Sequence, residues 1–373
     1  MIARISWDQA LAWRMRRQLL DPVGGLAVDE VVRRLGAVQA QVASSAELAI
    51  RLRSDGSEPG EVWRAVAEGR LIKTWAMRGA LHLLTPEEGG AFLAVMAAGR
   101  SWERPSWQRY FGMTPADIER LRIAVLEALG EAALSREELI EAVTEQPGLG
   151  HLGEALRSGW GTLLTPIAWQ GDLCHGPSRG TRVTFMRPEV ASPRWSGLPL
   201  IDEAAPRALA VYLGAYGPAT LESFGSWVAG GWFGQRRLRA LLGEVESRLA
   251  EVDVDGERAF VLAEHLDALV AAQPTRSVRL LGGFDPWVLG PGTDDGRVTP
   301  PARRRAVSRQ AGWISPVVIA AGVVSATWAL EGDEVRVAWF REAGPPPRRA
   351  LAAEVVRLGP IIGRELRVTL TVD

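Results

Sequence analysis

The sequence has very few of the side chains that form disulfides, metal sites and covalent intermediates. Its 373 residues include one cysteine, Cys174, and one lysine, Lys73, so an internal disulfide is excluded and Schiff-base chemistry is disfavoured. The four histidines lack the spacing of a metal site, and the sequence has neither a Walker phosphate loop nor a Rossmann fingerprint. We therefore predict a protein that uses no metal and no nucleotide cofactor.

Long hydrophobic runs are also missing. No apolar run reaches the roughly 20 residues that are needed to cross a bilayer. The segment Met1–Asp8 lacks the apolar core of a signal peptide, which disfavours export. These features predict a cytoplasmic protein that does not enter the membrane, and the chain length predicts several domains.

Neither sign of charge is in excess, because 43 basic residues oppose 44 acidic ones. A nucleic-acid-binding protein usually carries a basic excess, so the net charge does not favour this class. The arginines are clustered, however, and a guanidinium fork matches the geometry of a phosphate. For each cluster the alternative interpretation is a solvated surface. The clusters that we follow are Arg236/Arg237 and Arg303/Arg304/Arg305/Arg309.

The sequence does contain a repeated order of predicted elements. Two or three short helices are followed by a two-stranded hairpin, three times over, which is typical of winged-helix units. A β-rich tail follows, with a three-stranded meander, a helix and a last strand. The pattern predicts an α+β, mainly helical fold, with winged-helix units at 1–113, 114–197 and 198–272 and the β-rich tail at 273–373.

Local signals predict where several elements begin or turn. A capping box, in which a Ser side chain bonds the backbone three residues on, marks a helix start. Asp255-Gly256 between two alternating runs predicts a tight hairpin. Single helices are predicted over 152–168 and 234–249. The capping boxes are Ser6 with Gln9, Ser44 with Glu47, and Ser135 with Glu138.

The segment Gly36–Ala43 lies between a helix end and a helix start. In it, Val38 and Ala40 alternate with Gln39 and Gln41. Residues two apart share a face of an extended chain, whereas a helix would separate them by roughly 200°. Both amides are therefore predicted to project the same way. Surface decoration or helix capping is the alternative interpretation of two such glutamines.

Four runs of sequence, together with the order of the units, resemble a known family along nearly the whole chain. The runs are Gln39-Ala40-Gln41, Thr74–His82, Leu281–Trp287 and Gly312–Val318. Together they resemble the winged-helix DNA glycosylases of the AlkZ and YcaQ type. The likeness is greatest to the AlkZ branch, which is linked to resistance against the DNA cross-linker azinomycin B. In that branch the three-residue motif is glutamine, an apolar residue and glutamine. In the broader branch, the third residue of this motif is aspartate.

The resemblance implies both a fold and a reaction. The implied fold is a set of tandem winged helices around a C-shaped, positively lined DNA channel. The implied reaction is hydrolysis, without lyase activity, of the bond that joins an N7-alkylated purine to its deoxyribose in double-stranded DNA, including the unhooking of interstrand cross-links by a monomer. On this resemblance, Gln39 and Gln41 are the catalytic pair.

The implied chemistry can be performed by glutamine, a neutral side chain that does not transfer protons. An alkyl group on N7 makes the purine cationic, so the base leaves with little acid assistance while positive charge develops on the sugar. A glutamine cannot act as a useful base near neutral pH. Its amide can nevertheless position a water molecule and direct its carbonyl dipole toward the developing charge.

Other candidate residues would contact DNA. His82 lies in the second run and has two interpretations: a packed member of the first wing, or a group that faces the lesion or a phosphate. The cluster from Arg303 to Arg309 follows a loop rich in Pro, Gly and Asp, and we expect it to contact phosphate. Arg236 and Arg237 are further candidates for DNA contact.

Two other classes of function compete with the glycosylase. One is a non-enzymatic winged-helix transcriptional regulator, in which the arginines within 234–249 would enter the major groove. The other is a scaffold that uses winged helices for protein contacts, which would suit the neutral net charge. A regulator more often dimerises through one winged unit than carries three, which disfavours the first alternative.

Overall fold

The computed structural model describes residues 2–157, 161–230, 240 and 245–373. The chain is divided into two compact units. The four segments predicted from the sequence stay a prediction, because this division is coarser. No helix in the described ranges is long and apolar enough to span a membrane. The first unit comprises Met1–Val62, Leu209–Trp227 and Gln235–Asp373, and the second comprises Trp63–Ala208 and Val228–Gly234.

The N-terminal part of the first unit is helical. Its first helix begins at the predicted capping box, where the Ser6 hydroxyl accepts from the Gln9 amide at 3.2 Å and the Gln9 side chain accepts from the Ser6 amide at 3.0 Å. Leu11 and Met15, one turn apart, bury the same face of that helix. The helices are Trp7–Arg17, Val28–Leu35 and Ala43–Arg51.

A three-stranded sheet in the same unit joins the N-terminus to a later hairpin. Strand Ala3–Ile5 pairs in parallel with Leu249–Val254, which pairs antiparallel with Glu257–Leu262. Asp255 and Gly256 have φ angles of 50° and 89°, as a tight hairpin turn requires. The hairpin predicted from Asp255-Gly256 is therefore confirmed.

The C-terminal part of the first unit is built on a five-stranded sheet. Its first four strands are antiparallel neighbours, and the last pairs in parallel with the fourth. Helix Arg348–Ile362 makes the crossover that a parallel pair needs, and it buries Leu351 and Leu358 against the sheet. The predicted meander, helix and last strand are confirmed. The strands, in sheet order, are Val278–Leu281, Val317–Ala320, Val323–Glu331, Glu334–Trp339 and Arg367–Val372.

The second unit combines helices with two hairpins that share a sheet. Strands Ile72–Trp75 and Leu81–Leu84 form one antiparallel pair, and Cys174–Arg179 with Arg182–Met186 forms the other. Both hairpins were predicted. The short strand Leu134–Ser135 pairs with the last of these. The helices of this unit are Pro86–Ala97, Pro105–Phe111, Pro115–Leu129, Arg136–Thr144, Gly153–Arg157, Thr165–Trp169 and Pro188–Ala191; Glu61–Ala67, Ile201–Tyr216 and Leu221–Ala229 belong partly to each unit.

Two predictions about helices are wrong. The helix expected to start at the Ser44 and Glu47 capping box begins at Ala43 without a side-chain cap, and the Glu47 carboxylate accepts instead from the Gly60 amide at 2.5 Å. The predicted helix 152–168 is not continuous, since Gly161 adopts a left-handed φ of 63° between two shorter helices. The helix predicted over 234–249 lies mostly outside the described residues.

Candidate active site

Residues 37–42 link two helices of the first unit and include the short strand Val38–Gln39. Helix Val28–Leu35 ends at Gly36, whose φ of 78° suits a residue without a side chain. The Tyr216 hydroxyl donates to the Leu35 carbonyl at 3.1 Å and fixes this end of the link. At the other end, Val42 has an extended backbone and precedes helix Ala43–Arg51. The predicted extended conformation is confirmed at strand Val38–Gln39, whereas the chain bends at Gln41 and Val42.

Burial alternates along this link. Val38 and Ala40 are fully buried, whereas Gln39 is half-buried and Gln41 is exposed. The two glutamines are thus less buried than the apolar residues between which they lie. Neither glutamine is enclosed by the hydrophobic core. The link therefore offers two neutral hydrogen-bonding groups, each with one carbonyl acceptor and one amide donor.

A buried ion pair holds the helix that follows the link. Arg53 and Asp285 are both fully buried, and the two guanidinium nitrogens donate to the two carboxylate oxygens at 2.7 and 2.9 Å. The Arg53 guanidinium also donates to the Ala49 carbonyl at 2.7 Å, at the C-terminal end of helix Ala43–Arg51. The Asp285 carboxylate accepts in addition from the Trp287 amide at 2.8 Å. Asp285 is therefore occupied as a structural anchor and is not available as a general base.

Two glycines let the Leu281–Trp287 run lie directly against this helix. A Cβ atom on Gly282 would meet the Leu48 side chain at 3.0 Å, and one on Gly283 would meet the Ile314 carbonyl oxygen at 2.8 Å. The second distance is shorter than real Cβ contacts. The run therefore needs its glycines for packing around the candidate site.

The arginine cluster divides into one paired and three available side chains. Arg303 donates to the Glu342 carboxylate at 2.6 and 2.8 Å, and its guanidinium lies 4.5 Å from the centre of the Phe340 ring. The hydrogen bond from Arg303 lowers the pKa of Glu342 to about 2. The other three, Arg304, Arg305 and Arg309, are exposed and form no ion pair within the described ranges.

An exposed tryptophan, Trp313, lies next to this cluster in the Gly312–Val318 run. Trp313 is 49% exposed, and its ring meets the Phe284 ring edge-on at 5.1 Å. The Arg309 amide donates to the Trp313 carbonyl at 2.8 Å, so the two residues close a turn. The resemblance singled out the run that contains Trp313, but the sequence did not show that this ring is exposed. The turn therefore carries an exposed aromatic residue and an exposed arginine.

His82 is buried in the second unit. Its Nδ1–H donates to the Ala80 carbonyl at 2.9 Å, and burial lowers its pKa to about 4. The imidazole is therefore neutral near pH 7 and has no positive charge to offer a phosphate. This placement favours the interpretation of His82 as a packed member of the hairpin. Arg236 and Arg237 lie outside the described residues.

Groups suited to metal or covalent chemistry are scarce. In the described part of the chain, no group of three His, Cys, Asp or Glu side chains could hold a metal ion. Lys73 is half-buried on strand Ile72–Trp75, its ammonium group lies 5.6 Å from the centre of the Trp63 ring, and burial lowers its pKa.

Known proteins resemble this chain over its whole length. The family model described as DNA glycosylase AlkZ-like matches residues 32–361. An interstrand DNA cross-link repair glycosylase from Streptomyces sahachiroi is 45% identical over 361 residues, which cover 96% of this chain and 97% of the relative. The solved structure of the Streptomyces sahachiroi DNA glycosylase AlkZ matches with a TM-score of 0.96 at 44% identity, over 99% of this chain and 100% of that one. These matches include the link that carries Gln39 and Gln41.

Proposed function

This chain belongs to the AlkZ-like DNA glycosylase family, and we propose that it hydrolyses the bond between deoxyribose and an N7-alkylated purine in double-stranded DNA. We propose further that it unhooks interstrand cross-links such as azinomycin B adducts. The name of the Streptomyces sahachiroi relative, an interstrand cross-link repair glycosylase, supports this second step. The products would be a free base and an abasic site.

The proposed substrate requires a surface that holds a duplex. We propose that three winged-helix units and the β-rich tail form a C-shaped channel, and that the chain acts as a monomer. Three antiparallel hairpins, each preceded by helices, support the winged-helix assignment. The exposed arginines of the C-terminal cluster, Arg304, Arg305 and Arg309, would contact phosphates. Arg236 and Arg237 stay candidates for the same role.

The observation that carries the proposed chemistry is the alternation of burial along the link. Val38 and Ala40 anchor the backbone in the core, while Gln39 is half-buried and Gln41 is exposed, so neither glutamine is enclosed. Because these anchors are buried, the backbone that carries both glutamines is held in place before substrate binds, which favours electrostatic preorganisation.

The proposed reaction needs no charged protein group. The oxygen of a water molecule attacks the anomeric carbon, the glycosidic electron pair moves to the cationic base and neutralises it, and the proton of the water passes to solvent. A glutamine carbonyl accepts a hydrogen bond from the attacking water and orients it. The same carbonyl dipoles, directed at the sugar, stabilise the positive charge that develops there.

We propose that this reaction stops at the abasic site. A lyase of the imine type needs an amine that reaches the sugar, and the single lysine of the sequence, Lys73, is half-buried beside Trp63. Water is therefore the proposed nucleophile.

Product analysis tests this function. A duplex with one N7-alkylguanine would be incubated with the protein, the freed base identified by mass and the strand examined before and after alkali. We expect free alkylguanine and a strand that breaks only after alkali. An uncharged adduct such as an O6-alkylguanine is the matched control and should react poorly. Release of both adducts at similar rates, or cleavage without alkali, would contradict the proposal.

A further inference from the structure

Helix Pro105–Phe111 of the second unit has an aromatic stripe, in which Trp107 and Phe111 are half-buried and Tyr110 is exposed. Trp107, Tyr110 and Phe111 stand at positions i, i+3 and i+4, so their side chains share one face of the helix. On an ordinary surface helix, this face would be buried. Here none of the seven residues is buried, and the Tyr110 side chain, 81% exposed, is the most exposed large apolar residue in the described ranges.

The stripe is held in a defined geometry. The Trp107 and Phe111 rings lie 4.5 Å apart, and the Tyr110 ring meets Phe111 edge-on at 4.8 Å. A helix of seven residues is not stable alone in water, so its neighbours must hold it. Buried Trp102 precedes it, and buried Met113 follows it. The stripe is therefore displayed by a fixed helix.

The charge around the stripe is positive, unlike that of the whole chain. Residues 100–112 include Arg100, Arg104 and Arg109 against a single carboxylate, Glu103, which pairs with Arg100 at 2.5 Å. Arg109 is exposed beside Tyr110 and forms no ion pair with the residues that the structure describes. The partner of this surface is therefore expected to be anionic.

The chemistry of the stripe indicates what kind of anion it binds. Residues 105–111 contain three aromatic rings and no aliphatic side chain of the Leu, Ile or Val type. Aromatic rings beside arginines bind unpaired nucleic acid, because each base has a face that can stack and each phosphate a charge. In an intact duplex, neighbouring base pairs cover those faces. Protein interfaces are also rich in aromatic side chains and arginine, so it is the positive charge of this surface and the DNA substrate of the family that favour unpaired DNA.

We propose that helix Pro105–Phe111 is a platform for single-stranded DNA, on which Tyr110 stacks against an unpaired base and Arg109 contacts the backbone. The platform would hold a strand opened during repair. It rests on the proposed function only in that the substrate is DNA.

Binding of a fluorescently labelled oligothymidylate to the full chain tests the platform. We expect Tyr110→Ala to weaken binding at least about fivefold, the lower range for loss of one stacked base, and Tyr110→Phe to stay within about twofold of the unaltered protein. Leu200→Ala is the matched control, because Leu200 is 75% exposed in the same unit and has no ring. It should leave binding unchanged.

Base release from an alkylated duplex is measured in parallel and should be unchanged in Tyr110→Ala. This second measurement tests the proposed glycosylase function separately from the proposed binding of single-stranded DNA. Three results would overturn the platform. They are unaltered oligothymidylate affinity in Tyr110→Ala, equal losses in Tyr110→Ala and Leu200→Ala, or no binding by the unaltered protein at low salt. A Tyr110-dependent self-association in sedimentation, without effect on oligothymidylate binding, would identify the stripe as a protein interface instead.

Discussion

Burial keeps two histidine side chains of the second unit neutral. It lowers the pKa of His82 to about 4 and that of His175 to about 3. Lys73, opposite His175 in the sheet, and Arg136 add to the effect on His175. The unfolded chain, in which the pKa of each imidazole returns to about 6.5, binds these protons more readily. The free energy of unfolding must therefore fall as the pH falls below about 6.5.

Replacing His82 tests this effect. We expect its imidazole to account for a loss of about 2 kcal/mol in the free energy of unfolding between pH 7 and pH 5, since its folded pKa is about 4. His82→Asn keeps a donor near the Ala80 carbonyl but cannot titrate, so the variant should lose that part of the pH dependence in urea unfolding. His151→Asn, at an exposed histidine, is the control. If His82→Asn kept the full pH dependence, the neutral buried imidazole would be refuted.

Among the elements, helix Ala43–Arg51 links the candidate site to the C-terminal core. It begins two residues after Gln41, packs against Gly282 through Leu48, and is tied at its end by the Arg53–Asp285 pair. A shift of this helix would move the preceding link. The buried pair is therefore expected to affect both stability and base release.

Removing one partner of this pair should be costly. Asp285→Ala leaves the Arg53 charge buried without its partner, which typically lowers the free energy of unfolding by about 3–5 kcal/mol. Glu30→Ala is the matched control, because it removes the exposed Arg33–Glu30 pair and should change stability by less than about 1 kcal/mol. Urea unfolding of both variants measures the difference. Similar small losses would show that the buried pair does not hold the helix.

Local signals predicted those elements that depend on neighbouring residues. The Asp255-Gly256 hairpin and the Ser135 with Glu138 capping box are both present, because each is completed within four residues. The Ser44 with Glu47 box failed because Glu47 binds the amide of Gly60, which only the tertiary fold brings near. Strand Val278–Leu281 was not predicted either, since its partner Val317–Ala320 lies 36 positions along the chain.

The candidate site likewise combines features set by neighbouring residues with contacts between residues far apart in the sequence. The alternation that exposes Gln39 and Gln41 is local, so the sequence predicted it. The Arg53–Asp285 pair joins residues 232 positions apart, and no pattern in the sequence links them. For the same reason, the sequence could not show that Arg303 is occupied by Glu342 while its neighbours are not.

On the scale of the whole molecule, net charge conceals the feature that matters for DNA binding. The chain carries a net charge of −1, yet the C-terminal cluster presents three exposed arginines without ion pairs among the described residues. Phosphate contact by such side chains releases counterions, so the affinity for DNA falls as salt rises.

The salt dependence of duplex binding tests which arginines contribute. Replacing Arg304, Arg305 or Arg309 by alanine should flatten the plot of log affinity against log salt by about one unit each. Arg303→Ala is the structural control, because its guanidinium is held by Glu342, and it should leave the slope nearly unchanged. Equal slopes for all four variants and the unaltered protein would show that these arginines contact no phosphate.

The proposed catalytic pair is tested most directly by single-turnover release of an N7-alkylguanine from duplex DNA. We predict that Gln39→Ala and Gln41→Ala each slow release at least about tenfold, roughly 1.4 kcal/mol of lost transition-state stabilisation, while duplex affinity and the urea unfolding midpoint are kept. Release at the unaltered rate by both variants would contradict it.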